Sequence, residues 1–346
     1  MYLIMSVHSS ESHDDTSSTR EHIGHVVVTG AAGFIGSHLV DELLARGEHV
    51  IGIDSFDPWY SPHQKQANLA LATRHHRFEL ATIDLLDPAA IEPFEGANRV
   101  FHLAGRPGVQ DSWGPGFGDA TRQNVEVTQR VYEHALACAV ERVVYASSSS
   151  VYGNHASPGQ DRATTPISPY GVTKLAGEQL AEVYRLRGLS ISALRYFTVY
   201  GPRQRPDMAM HRIFEATIPD GPTFVRRGDG HQEREFTYVA DIVEATIAAS
   251  HAPLAANAAL DIGGGSVASL NDVINEIAKI SGVSARVRVV PSPSGDPTQT
   301  EADSQTTRRL LGWEPKTPLA EGLRSQWSWH RQRTTSAASA STVAAR

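Results

Sequence analysis

One cysteine, Cys138, stands among 346 residues. A single thiol excludes an intramolecular disulfide and fits a reducing compartment, so a cytoplasmic setting is expected. It falls in an alanine-rich helical pattern, where a small buried apolar side chain is the expected role. Basic residues are not in excess: 31 Lys and Arg face 38 Asp and Glu, a formal charge of −7. That gives no electrostatic footprint for nucleic acid. No apolar run reaches the roughly 18 residues a membrane span needs. The opening Met1–Met5 stretch is too short for a signal-peptide core, and no basic residue precedes it. His75, His76 and the other histidines show no ligand spacing, so no metal is expected.

What is present describes an ordinary globular chain, 40% hydrophobic and 20% charged. Ser6 to Glu21 is rich in Ser, His, Asp and Thr, and Thr334 to Arg346 in Ser, Ala and Thr. Both stretches can bury little and are expected to be disordered. The division expected is a leader at 1–22, a nucleotide-binding domain at 23–195, a substrate domain at 196–331 with some elements crossing back, and a tail at 332–346.

The apolar run His25–Thr29 ends in Gly30-Ala31-Ala32-Gly33-Phe34-Ile35-Gly36, followed by a helical pattern through Leu39, Val40, Leu43 and Leu44. A second apolar run, Val50–Ile53, ends in Asp54. Strand, glycine turn, helix, strand and acid within about thirty residues predict a dinucleotide site. The glycines allow a tight turn and close approach of backbone to a pyrophosphate at the helix N-terminus. Asp54 is placed to accept from an adenosine ribose and to repel a 2′-phosphate, which favours NAD over NADP. The spacing G-x-x-G-x-x-G differs from the commoner fingerprint, and its weight comes from the flanking strands and Asp54. Strand–helix alternation continues through Phe78–Ile83, Arg99–Gly105, an amphipathic helix Asn124–Ala139, and Ser190–Tyr196. Repeated βα units with buried strands predict an α/β, doubly wound parallel sheet with a smaller mixed α/β domain.

Between Val143 and Lys174 a strand signal breaks into four serines, Ser147 to Ser150, and resumes as Ser168-Pro169-Tyr170-Gly171-Val172-Thr173-Lys174. A helix entered there puts Tyr170 and Lys174 one turn apart on one face. A phenol beside an ammonium is expected to lose its proton more easily than its usual pKa of about 10 allows, which suits a general base. A packed tyrosine and a solvated lysine fit the same spacing.

Taken in order, these stretches resemble the extended short-chain dehydrogenase/reductase family, and within it the nucleotide-sugar epimerases. The residues that carry the resemblance are Thr29–Gly36, His102–Gly105, Ala146–Gly153, Tyr170-x-x-x-Lys174, Arg195–Pro202 and Arg234–Asp241. They span roughly residues 23 to 330.

The resemblance implies bound NAD. It assigns Tyr170 as base, Lys174 as holder of the nicotinamide ribose, and Ser148 as a hydroxyl near the sugar's 4-OH. A hydride leaves C4, the 4-keto sugar turns over, and the hydride returns to the other face. Cofactor contacts are implied at Gly30, Gly33, Phe34, Ile35, Gly36, Asp54, Asp84, Leu85, Leu103, Ala104, Asn124, Tyr170, Lys174 and Tyr196. Related dehydratases and decarboxylases carry an acidic residue before the Val-Tyr-Gly; here Ser147–Ser150 supply only hydroxyls, which points to epimerisation.

Three stretches are similar to UDP-glucuronate 4-epimerases: Ile53–Tyr60, Ala146–Gly153 and Phe197–Ala209. Substrate contacts are implied at Gly108, Ser148, Ser149, Thr198, Arg205, Arg234 and Asp296, with Thr198, Ser149 and Arg205 able to meet a C6 carboxylate. Where the family often has arginine, this chain has Gln110, which weakens strict carboxylate selection unless Arg106 substitutes. UDP-glucose/UDP-galactose interconversion is therefore the second expectation, with decarboxylation of UDP-glucuronate and 4-keto reduction behind it. A homodimer is implied, through the helices Asn124–Ala139 and Tyr170–Arg187.

Overall fold

The computed structural model describes residues 24–154, 163–253, 257–291 and 299–344. The leader and Asp296 lie outside the described residues. The first half alternates strands and helices in chain order. Its strands are β1 (His25–Thr29), β2 (Val50–Ile53), β3 (Phe78–Ala81), β4 (Ala97–His102), β5 (Arg142–Ser148) and β6 (Ile191–Tyr196). Its helices are α1 (Phe34–Ala45), α2 (Pro62–Asn68), α3 (Gly116–Thr121), α4 (Val127–Ala137) and α5 (Pro169–Arg185). The second half holds β7 (Thr198–Tyr200), α6 (Ala209–Glu215), β8 (Phe224–Arg227), β9 (Glu233–Tyr238), α7 (Val239–His251) and β10 (Ala259–Ile262). It closes with β11 (Ser266–Ser269), α8 (Leu270–Ser281), β12 (Val287–Val290), β13 (Gln299–Thr300), α9 (Ser304–Leu311) and α10 (Leu319–Ala344).

Seven strands form the main sheet in the order β10-β6-β5-β4-β1-β2-β3, all paired in parallel. Because every crossover needs a helix, both faces are covered and the strands read as apolar runs. One face packs α1 and α7, with Leu39, Leu43, Ile242 and Ala249, over Val26 and Val28. The other packs α4 and α5, with Val131, Ala135, Ala181 and Tyr184, over Val27 and Val143. The order reverses at β1, between β4 and β2, and ligands of open α/β sheets bind at the carboxyl ends beside such a switch. A second, smaller sheet pairs β9 with β7, β11 and β13, and β8 pairs with β12. Its own core joins α6, α8 and α10 through Phe214, Ile277 and Leu323.

Three boundaries differ from the sequence expectation. The helix expected over Asn124–Ala139 is one helical run from Gly116 to Ala137, interrupted by a π turn at Arg122–Glu126. It ends earlier because Ala139 adopts a left-handed φ of 54°, so half-buried Cys138 caps the helix rather than lying within it. The last helix, expected to stop near Arg331, runs to Ala344. The alanines of that stretch have high intrinsic helix propensity, which a reading from burial alone overlooks. Among the described residues no helix is long and apolar enough to cross a membrane.

Candidate active site

The glycine turn follows β1 at the switch point. Gly30 has φ 70°, and a Cβ there would lie 2.8 Å from the Ala104 backbone nitrogen. A Cβ on Gly36 would lie 2.1 Å from the Gly30 carbonyl oxygen. This close packing brings α1 onto the turn, and Gly33 offers no side-chain cap to its first N–H groups. Those donors and the positive helix end form a cradle for an anionic diphosphate.

Asp54 closes the cradle from β2. Its Oδ2 accepts from Ala32 N at 3.1 Å, and its Oδ1 from Phe56 N at 2.8 Å and Lys65 Nζ at 3.4 Å. The carboxylate thus holds the turn and still has lone pairs for a ribose hydroxyl. Asp84 ion-pairs with Arg122 at 3.0 Å, and Asp84 and Leu85 line the same cleft as Gly30, Asp54, Leu103 and Tyr196. The donor set and the space freed by glycine fit NAD.

At the other end of the cleft stand Tyr170 and Lys174. Ser168 caps α5 by accepting from Gly171 N at 3.1 Å, and Pro169 opens its first turn. The spacing places the two side chains as expected, but the electrostatics differ. Desolvation raises the Tyr170 pKa; a hydrogen bond from Ser148 and the charge of Arg205 oppose it. The net direction is upward, because burial outweighs the groups that favour the phenolate, so the expected lowering is corrected. Lys174 Nζ donates to the Ala146 carbonyl at 2.9 Å and lies 5.2 Å from the Tyr145 ring centre. Burial pulls the Lys174 pKa down to about 8, while Glu178 works to raise it.

Glu178 is a buried acid beside this pair that the sequence reading did not single out. It accepts from Ser147 and from Arg195 Nε at 2.9 Å and Nη2 at 2.6 Å, all inside the protein. Its i+4 spacing from Lys174 was the available signal.

A chain of hydrogen bonds runs beneath the Tyr170 and Lys174 end of the cleft. Asn124, buried in the π turn, accepts from Arg106 N at 2.7 Å and donates to Arg106 O and Thr173 Oγ1, both at 3.0 Å. Thr128 spends its hydroxyl proton on Asn124 O, so His102 Nε2–H must donate to Thr128. His102 Nδ1 then accepts from Thr29, whose oxygen accepts from Ala104 N. Burial, aided by the Lys174 charge, lowers the His102 pKa to about 3, which keeps the ring neutral as this chain of donors requires. π turns interrupt helices mostly at functional sites; this one turns Asn124 into the loop after β4.

Of the expected substrate residues, Arg205 lines the cleft, whereas Gly108, Ser149, Thr198 and Arg234 stand outside it. Ser148 reaches the site through Tyr170. Arg205 pairs with Asp207 through two 3.1 Å contacts. Its guanidinium lies 5.6 Å from the Trp59 ring centre, with Arg106 5.2 Å from that same ring. Arg106 also pairs with Asp57 at 3.2 Å. Gln110 is exposed, so Arg106 rather than Gln110 supplies a second cation to the cleft. Trp59, Tyr60, Lys65 and Gln123 also line it; the aromatic pair six residues beyond β2 is the only local mark of the first two.

Among the described residues, His211, Glu215 and His330 bring ligand-type atoms within 4.8 Å of one another. The Arg333 cation stands 3.8 Å from the same carboxylate, and His211 Nδ1 meets the Gln204 carbonyl at 2.7 Å. The group is a buried polar clasp between α6 and α10.

A glycine turn at a parallel-sheet switch point, with a tyrosine and lysine on the adjoining helix, defines a nicotinamide-dependent enzyme of the short-chain dehydrogenase/reductase type. Residues 26–263 match the NAD dependent epimerase/dehydratase family, and the chain belongs to it. It is 40% identical over 304 residues to an uncharacterised UDP-glucose epimerase of Bacillus subtilis, covering 87% of this chain and 96% of that one. It is 34% identical over 321 residues to the UDP-glucuronate 4-epimerase of Thermodesulfobacterium geofontis, covering 90% and 97%. The crystal structure of UDP-glucuronic acid 4-epimerase from Bacillus cereus, in complex with UDP-glucuronic acid and NAD, superposes with a TM-score of 0.85 at 39% identity. That match covers 89% of this chain and 99% of the other. NAD is the cofactor of this enzyme.

Proposed function

We propose that this chain is a UDP-sugar 4-epimerase that interconverts UDP-glucuronate and UDP-galacturonate. The observation that carries the reading is that Arg205 lines the cleft with Tyr170 and its charge acts on that phenol. A guanidinium so placed suits a substrate with a carboxylate two carbons from the reacting centre. The segment Ser147–Ser150 brings hydroxyls and no further acid, so it supports inversion over elimination.

NAD, when bound, supplies the hydride acceptor and donor. Tyr170 takes the 4-OH proton and gives it back, and the Ser148 hydroxyl orients that exchange. Lys174 stands as an ammonium donor beside it, held by Ala146 O, and Asn124 fixes the Arg106 backbone of the loop after β4. Oxidation at C4 makes a β-keto acid that loses CO2 readily. Arg205 and Arg106 therefore also hold the carboxylate so that the C5–C6 bond lies near the ring plane.

UDP-glucose/UDP-galactose interconversion is the second reading, favoured by Gln110 where a cation is otherwise expected. Separate incubation with UDP-glucuronate and UDP-glucose, resolved by NMR, decides between them. UDP-galacturonate as main product is expected; a UDP-pentose, or turnover of UDP-glucose alone, would overturn the proposal.

We also infer a homodimer through α4 and α5. Val172, Val183 and Leu186 are 48%, 55% and 90% exposed on or just after α5, a large apolar expense unless covered by a second copy.

A further inference from the structure

The structure assigns to Gln204 the role of positioning residue for carboxylate recognition: its buried amide ties β7 to the segment that carries Arg205. This rests on the proposed reading of UDP-glucuronate as substrate. Gln204 is 1% exposed, does not line the cleft, and immediately precedes Arg205.

Its side chain makes three hydrogen bonds to three different parts of the chain. Nε2 donates to Val199 O at 3.1 Å, on β7 next to Thr198. Oε1 accepts from His211 N at 2.9 Å, at the start of α6, and from Gln326 Nε2 at 2.9 Å, on α10. The amide cannot be flipped, since that would set its NH2 against two donors and its oxygen against a carbonyl. The Gln204 carbonyl accepts from His211 Nδ1 at 2.7 Å and from Gln64 Nε2 at 3.4 Å. Gln64 belongs to α2, the helix whose Lys65 contacts Asp54 on the cofactor side.

An independent observation shows that the segment needs holding. Gly201 has φ 145° and Arg203, a non-glycine, φ 62°. A left-handed residue with a Cβ costs about 1–2 kcal/mol and persists where surroundings over-determine it. Arg203 is pinned to Asp41 of α1 at 2.7 Å, and Gln204 is pinned on the other side. The wound segment therefore presents Arg205 from a fixed base, with Trp59 and Asp207 guiding only the tip of its side chain. The clasp of His211, Glu215 and His330 is the far end of the same support, joining α6 to α10.

Misplacing a binding group by an ångström weakens charged-substrate recognition without touching the reacting atoms. In the NAD-loaded full chain, Gln204→Leu is expected to raise KM for UDP-glucuronate roughly tenfold. The change in kcat stays under about threefold, and KM for UDP-glucose changes less than about twofold. Gln204→Glu keeps the two acceptor contacts and loses only the donation to Val199, so it falls between. Gln326→Leu removes one hydrogen bond from a side chain outside the cleft and is expected to move the same KM ratio about threefold. It keeps the inference testable if Gln204→Leu does not fold. A merely structural role would lower kcat and raise KM for both sugars alike.

Arg205→Met separates the two proposals. If it collapses the glucuronate-over-glucose preference while the Gln204 and Gln326 variants leave that preference within twofold of the unsubstituted enzyme, the positioning role is overturned and the substrate reading stands. If Arg205→Met leaves the preference unmoved, the glucuronate reading fails. The carboxylate-positioning role of Gln204 then fails with it.

Discussion

Burial and Glu178 act in opposite directions on Lys174, one turn before it. Lys174 sits at a pKa of about 8 because burial lowers it and Glu178 partly restores it. With its folded pKa below the ordinary lysine value near 10.4, its ammonium is lost as pH rises through about 8. Glu178→Gln removes the restoring charge, so the alkaline limb of kcat/KM is expected to move to lower pH, read from a profile across pH 6–9. The same change strips Arg195 of its carboxylate and is expected to cost roughly 3 kcal/mol in urea unfolding. Tyr170→Phe keeps the ring and loses the proton carrier. Its kcat is expected to fall by about 10²–10⁴ with bound NAD retained, measured by product NMR and by release of cofactor on denaturation. Glu178 was not legible as a site residue because its partners, Arg195 and Ser147, come from two strands of the sheet. The phenol's pKa was misjudged because burial, which raises it, depends on the packed fold and not on the spacing of two residues.

At the scale of elements, the π turn and the strands it faces share a buried chain of neutral donors and acceptors through His102. Burial lowers His102 to about 3, and His38 and His211 to about 4. Each of these is neutral in the fold and protonated in the unfolded chain between its folded pKa and about 6.5. Their stability contribution is complete above about pH 6.5 and is lost as pH falls toward 4. The slope is about 1.4 kcal/mol per pH unit for each residue. Thermal midpoints are expected to drop steeply over pH 6.5–4, and His102→Gln to flatten the drop while lowering the plateau. An unchanged slope in that variant would count against the assignment. The groups facing His102 are Thr29, Thr128, Tyr132, Tyr145 and Lys174, of which only the lysine is charged near neutrality. His211 faces His330, Glu215 and Arg333; His38 faces Arg203 and the Pro202 carbonyl.

For the whole molecule, the exposed apolar residues on and just after α5 carry the dimer proposal. Leu186→Glu combined with Val183→Glu is expected to convert a dimer into a monomer in light scattering while leaving bound NAD in place. A monomer before substitution would sink the dimer inference.

The doubly wound sheet, the glycine turn and the Tyr170/Lys174 pair were legible because each is a local pattern: apolar runs, glycine at a turn, four-residue spacing. Asp54 was legible as an acid after a strand, but its hold on Ala32 and Lys65 was not. The π turn escaped because one extra residue in a helical turn leaves no mark in a periodicity. Trp59 between two guanidiniums, Arg106 in place of Gln110, and Gln204 bound to Val199, His211 and Gln326 depend on which distant segments meet. The sequence by itself determined the elements and the placing of Tyr170 and Lys174 on one helix face, since backbone propensity and apolar spacing are short-range. Only the tertiary structure decided which charges face Tyr170 and what holds Arg205, because burial and hydrogen-bond partners arise when segments as distant as those of Asp41 and Arg203 pack together.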